Sequence, residues 1–216
     1  WLLATLSIAL LAANLSAGAQ AQTATNPNIN AQLLVAARQS DLSAVERSLA
    51  RGAGPNSRNR LGKTALLIAA EKGHAAMAER MLAAGADVNL ASLEGVTPLM
   101  AAAYGGHAAI AKKLLDAGAK SEPVDRMKKP AMVYAAGQGN AEVLGLLLDR
   151  GVPIDAAYEQ QLTALMWAAG QGQAEAVKLL LSRGAKTGLR DDRGLTAEQI
   201  ARQAGHAQVA QVLAAR

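Results

Sequence analysis

Three histidines, His74, His107 and His206, are the side chains here best suited to proton transfer or metal ligation. Each directly follows a glycine, and His74 and His107 are separated by 33 residues. If units of that length stack about one helix diameter apart, roughly 10 Å, these two cannot share one zinc ion. They read instead as structural residues. Carboxylates are scattered rather than paired on one face, and no Gly-x-Ser-x-Gly, phosphate-binding loop or His-Glu-x-x-His occurs. The absence of Cys removes disulfides, thiolate ligands and cysteine nucleophiles. No catalytic, metal or cofactor site is expected, and the chain is not expected to be an enzyme.

The cations suggest a different chemistry, attraction of an anion. The net charge is +5 and the pI near 9.7. Counted unit by unit, however, the excess never passes +2 and falls to −1 over residues 93–125. A nucleic-acid binder would gather its cations in a stripe with stacking aromatics, and the chain has no Phe, two Trp and three Tyr. Nucleic acid is therefore not expected as a partner. The local cluster Arg126, Lys128 and Lys129 reads either as a small anionic contact or as a solvated tip.

The elements that position these residues recur with a fixed period. Glycines stand at Gly52, Gly85, Gly118, Gly151 and Gly184, and again at Gly73, Gly106, Gly139, Gly172 and Gly205, each series spaced by 33. The most uniform column is Ala36, Ala69, Ala102, Ala135, Ala168 and Ala201, without insertion or deletion. Thr97 and Pro98 start a helix, by hydroxyl capping and by a first-turn proline whose missing amide had no partner anyway. Gly105 and Gly106 end it. A second helix follows, with Ile110, Leu114 and Leu115 on its apolar face and Lys112, Lys113 and Asp116 largely solvated. Residues Ala119 to Lys129 then form a hairpin-like connection, with equivalents beginning at Ala53, Ala86, Val152 and Ala185. Helices this short cannot stand alone, so the units must stack. The fold expected is mainly α, a solenoid of helix-turn-helix units.

The first segment is of another kind. Residues 1–15 are apolar and uncharged, too short a run to span a bilayer, and are followed by Ala17-Gly18-Ala19. This predicts a signal peptide over residues 1–19, cleaved after Ala19, with Ala19-Gln20-Ala21 as a second register. A polar linker is expected over residues 20–30 and the repeat domain over residues 31–216. Once the signal is removed, no stable membrane insertion is expected. The location expected is periplasmic or secreted, in a Gram-negative bacterium.

The repeating unit resembles the ankyrin repeat family. Gly95-Val96-Thr97-Pro98-Leu99-Met100-Ala101-Ala102-Ala103-Tyr104-Gly105-Gly106-His107 follows the first half of that family's motif, and Gly85-Ala86-Asp87-Val88-Asn89 the second. The resemblance covers residues 31–216 in six units, the outer two acting as caps. It departs where the motif His is replaced by Leu67, Met100, Val133, Met166 and Gln199, which implies packing in place of that residue's hydrogen bonds. It also departs at Lys128-Lys129-Pro130-Ala131-Met132, where a weaker helix cap and an irregular hairpin are expected.

The resemblance implies a concave recognition face built from hairpin tips and first helices. Carried over by column, it selects Arg60, Leu61, Lys63, Glu71 and Lys72, then Leu93, Glu94, Val96 and Tyr104. It next selects Arg126, Met127, Lys129 and Gln138, and finally Glu159, Gln160, Leu162 and Gln171. Leu61, Leu93, Met127 and Leu162 at successive tips form either a binding edge or a packed seam between neighbouring hairpins. Tyr104 is the aromatic expected to make contact, whereas Trp167, in a mostly apolar column, reads as inter-unit packing. The function this implies is protein binding by a monomer, as by an inhibitor or shield of an envelope enzyme, with recognition of peptidoglycan or another anionic envelope ligand as the alternative.

Overall fold

The computed structural model describes residues 27–215. The expected signal peptide, its cleavage after Ala19 or Ala21 and the first part of the expected linker lie outside them. Six helix pairs follow in order: α1 (Pro27–Gln39) with α2 (Leu42–Ala50), α3 (Ala65–Lys72) with α4 (Ala75–Ala83), and α5 (Pro98–Gly105) with α6 (Ala108–Asp116). After these come α7 (Ala131–Gln138) with α8 (Ala141–Asp149), α9 (Ala164–Gly170) with α10 (Ala174–Ser182), and α11 (Ala197–Gln203) with α12 (Ala207–Ala214). There is no strand among the described residues.

Each of four inner helices begins on a threonine. The hydroxyls of Thr64, Thr97, Thr163 and Thr196 accept from the amide three residues on, at 3.1, 3.2, 3.3 and 3.4 Å. The sulfurs of Met100 and Met166 accept the Thr97 and Thr163 amides in return, at 3.4 and 3.5 Å, which adds a local bond to the packing expected at those positions. Pro130 occupies the third of the five cap positions in this column and offers no side-chain bond, as the sequence led us to expect.

The odd-numbered helices form an inner row and the even-numbered ones an outer row. All six column alanines are buried. With only a methyl group at these contacts the inner helices approach closely, and they pack against one another more extensively than the outer ones do. The stack therefore curves toward the inner row. Apolar side chains such as Leu114 and Ile110 fill the space between rows, each burial stabilising by about 1.5–3 kcal/mol.

Ion pairs tie the outer row together across unit boundaries: Arg80 with Glu46 at 3.3 Å, Lys113 with Glu79 at 2.7 Å, Arg150 with Asp116, and Arg183 with Asp149 at 2.8 Å. Lys113 holds the Glu79 carboxyl below the usual carboxylate range, and Lys112 with Arg150 does so for Asp116. Solvent screens all of these pairs.

The N-terminal boundary differs from expectation. Helix α1 starts at Pro27, four residues before Ala31, so the linker does not extend to residue 30. Proline suits a first helical turn. The Asn30 side chain accepts the Gly54 amide at 2.8 Å, and Ile29 packs against the core, which fixes this turn to the unit that follows.

Candidate protein-binding face

Five hairpins, residues 51–64, 84–97, 117–130, 150–163 and 183–196, project from the inner row. Each is closed by a backbone bond between its arms, as from Asn59 to Lys63 at 3.0 Å, and by a turn bond, as from Gly62 to Asn59 at 2.9 Å, rather than by paired strands. A short polar side chain braces the turn in four of them. Asn59, Asp125 and Asp191 each accept from the amides two and four residues on, and Ser92 accepts from Val96. Burial alone would raise the Asp191 carboxyl. The amides of Leu195 and Arg193 and the Arg193 guanidinium more than reverse this and hold it below its ordinary value.

The fourth hairpin lacks this brace. Tyr158 occupies the column, and burial pushes its phenol up to about 12. The turn instead carries Gln160 and Gln161 at φ 60° and 56°. In the column of Gln161 the other hairpins have Gly62, Gly95, Lys128 and Gly194, all at positive φ. Lys128 and Gln161 thus adopt a conformation that favours glycine. The expected irregularity of the third hairpin is confined to Lys128 and the uncapped Pro130, and the fourth departs further.

Neighbouring tips are joined by single backbone bonds: Leu93 to Leu61 at 3.0 Å, Arg126 to Glu94 at 2.9 Å and Asp192 to Gln160 at 3.1 Å. Nearer the helices, a second series runs from the amides of Asp87, Lys120 and Lys186 to the side chains of Asn56, Asn89 and Asp155, at 2.7, 2.8 and 3.0 Å. Both series are broken between the third and fourth hairpins among the described residues. Pro153 has no amide to donate, and Glu159 does not bond Met127. Two clefts flank this seam, of about 160 and 270 Å³, and Tyr158 lines both.

The expected contact residues divide into two groups. Leu61, Leu93 and Met127 are 61%, 62% and 62% exposed, and Tyr104 is 57% exposed. The tips touch, with the Leu93 amide and Cγ lying over Gly62, yet these side chains remain more than half exposed. Leu162 and Val96 do not join this edge: both are half-buried and pack against the core, which corrects the expectation for Leu162 as an exposed tip residue. Arg60, Glu71, Gln138, Glu159, Gln160 and Gln171 are exposed on the same side. Several expected cations are already engaged. Lys63 pairs with Glu71 at 2.7 Å, Lys72 reaches Ser40 Oγ at 3.3 Å, and Arg126 pairs with Glu94 at 3.0 Å.

At the third tip, Lys129 Nζ lies 4.6 Å from the centre of the Trp167 ring in the next unit. Arg126, Lys128 and Lys129 are thus not gathered into one anionic contact. Trp167 is half-buried between units, and among the described residues its indole Nε1 has no hydrogen-bond partner. The ring of Tyr104 meets that of Tyr134 edge to face at 5.8 Å, and Tyr134 donates to the Asp125 carboxylate. Burial, reinforced by that carboxylate, raises the Tyr134 phenol.

The histidine column caps the outer helices without a side-chain bond and packs back on the preceding unit, His107 against Gly73 and His206 against Gly172. Asn140 and Gln173 in the same column donate back to the carbonyls of Ala103 and Gly137, at 2.7 and 3.1 Å. No three metal-ligating residues come together among the described residues. No described helix is long and apolar enough to cross a membrane.

The residues that sequence columns missed lie at the N-terminal end. Val35, Arg38 and Arg58 join Arg60 and Leu61 around a groove of about 1100 Å³. Counting charge by unit divides the first hairpin between two windows and hides this grouping.

A two-row helical stack with hairpin tips and an exposed apolar edge defines a repeat solenoid with a recognition face. The pattern of ankyrin repeats in three copies matches residues 33–125 and again residues 131–216, and the chain belongs to the ankyrin repeat family. Ankyrin repeats are general protein–protein interaction modules and are typically non-catalytic. Among curated proteins, none matches the chain. The interval between the two matches, residues 126–130, is the tip of the third hairpin.

Proposed function

We propose that this protein is a binding module of the bacterial envelope, acting in the periplasm and shielding or inhibiting an envelope enzyme. The observation that carries the binding reading is the row of Leu61, Leu93 and Met127 at successive tips, each more than half exposed, with Tyr104 beside it. Single exposed apolar residues are ordinary, but a ladder of them on one edge offers desolvation energy to a partner. Export is supported by the apolar run of residues 1–15 and the small residues at Ala17 and Ala19. The enzyme-shielding role rests on the location and on the absence of candidate catalytic groups in the repeat columns.

In-cell crosslinking from a photoreactive residue at position 104 tests this. A discrete protein adduct that disappears in the Leu93→Ala variant is the expected result. Retention on cell-wall sacculi with no protein adduct would overturn it in favour of glycan recognition. N-terminal sequencing tests the location, with a periplasmic chain starting at Gln20 expected. A cytosolic chain still starting WLLATL would reject export.

A further inference from the structure

We infer that the groove between α1, the first hairpin and α3 receives an acidic protein segment that also carries apolar side chains. This rests on the protein-binding reading and names the partner's chemistry at one end of the face. The floor of the groove is apolar, formed by the buried Leu34 and Ile68, and its walls present Val35, 48% exposed, and Leu61. In the column of Val35 the other inner helices place Ile68, Ala101, Tyr134, Trp167 and Ile200, all buried or half-buried. Val35 alone in that column stands open.

Around this floor the charge is one-sided. Arg38, Arg58, Arg60, Lys63 and Lys72 line the groove against a single carboxylate, Glu71. Glu71 is already paired with Lys63. Arg58 is turned to the carbonyls of Gly62 and Ala91. Arg38 and Arg60 have no ion-pair partner among the described residues, so their guanidiniums face solvent uncommitted. The clefts at the seam are unlike this: Lys128 and Lys129 stand against Glu159 in one, Arg150 against Glu122 in the other.

The cationic wall and the apolar floor together select the occupant. Carboxylates supply what Arg38 and Arg60 lack, and leucine-like side chains bury Val35 and Leu61. Neither feature suffices alone. Exposed ion pairs are screened by solvent and contribute little each, so the apolar anchor must carry affinity while the charges steer association. The chain's own first 26 residues contain no Asp or Glu and cannot complement the wall. The groove has no aromatic lining on which nucleobases could stack.

The test is fluorescence anisotropy of the protein with a labelled peptide of Leu-Asp-Glu repeats, beside polyglutamate, a Leu-Lys peptide, polygalacturonate and oligothymidylate. Only the Leu-Asp-Glu peptide should bind tightly, and added salt should weaken it. Reversing Arg38→Glu with Arg60→Glu should cost about tenfold or more in affinity, Leu61→Ser a similar amount, and Lys178→Glu on α10 nothing. All four positions are exposed, and circular dichroism confirms that each variant folds. Absence of binding, equal binding of polyglutamate, polygalacturonate or oligothymidylate, or indifference to the double reversal would overturn the inference. A crosslink from position 104 that persists alongside such a failure rejects the acidic-segment assignment and leaves the protein-binding reading standing.

Discussion

The imidazole of His107 occupies the space that a side chain on Gly73 would need: a Cβ there would stand 2.6 Å from the His107 Cε1. One column of glycine thus serves two ends, the left-handed turn at φ 75° and the seating of the next unit. Gly85, at φ 82° with nothing within 4 Å of such a Cβ, serves only the first. Gly85→Ala should destabilise by about 1 kcal/mol and Gly73→Ala by about 2–3 kcal/mol in urea denaturation. Adding His107→Ala to Gly73→Ala should cost less than the sum of the single changes.

Lys128 and Gln161 hold φ 59° and 56° where their column elsewhere has glycine. Lys128→Gly and Gln161→Gly should each stabilise by about 0.5–1 kcal/mol, in contrast to glycine substitutions at most surfaces. Pro130→Thr, which restores the cap found at Thr64, Thr97, Thr163 and Thr196, should add about 1 kcal/mol. Thermal unfolding of the three variants checks both expectations. A fall in midpoint for Lys128→Gly would refute the strain assigned to that residue.

The break in the tip bonds predicts a local difference in hydrogen exchange. The amides of Leu93, Arg126 and Asp192 donate to the preceding tip, whereas Glu159 does not. Glu159 should therefore exchange faster than the other three, read residue by residue by NMR. Comparable protection at all four would mean that the third and fourth tips are joined after all.

Acid should weaken the fifth hairpin through Asp191. Its carboxyl lies below the ordinary value when folded. The stability it contributes is fully present above the unfolded value of about 3.9 and is lost as pH falls through the lower folded value. Asp191→Asn keeps an oxygen for the Arg193 and Leu195 amides, as Asn59 does for its own hairpin, but loses the guanidinium. The variant should be about 1 kcal/mol less stable at pH 7, and the difference should close below about pH 3.9. A difference that stays constant into acid would exclude ionisation as its source.

Much of this architecture is legible in the sequence because the repeat is strict. Thr97, Gly106 and the column through Ala102 each have one structural job, and a period of 33 displays it several times over. The seam was only half legible. Pro130 announces a missing cap, but the loss of the Pro153 bond depends on its spatial partner, Glu122, and Tyr158 shows its effect only beside the asparagine and aspartates of its column. The exposed edge was read as four residues and consists of three, because Leu162 falls in the column of Val96 and Leu195, which also pack on the core, rather than in that of Leu61 and Met127. The basic groove was missed for a geometric reason: Arg38 and Lys72 belong to different helices that folding brings to one rim.

The seam also has a mechanical meaning. A stack of near-identical units held at its two ends behaves as a spring in series, and extension concentrates where coupling is least. Three of the four hairpin junctions are stitched at tip or base, while the one around Tyr158 is held by helix contact, by the Arg150–Asp116 ion pair and by Lys129 over Trp167. Tension applied by a bound partner would therefore open the solenoid as two half-springs about this joint, and the elastic compliance of the whole molecule would reside there.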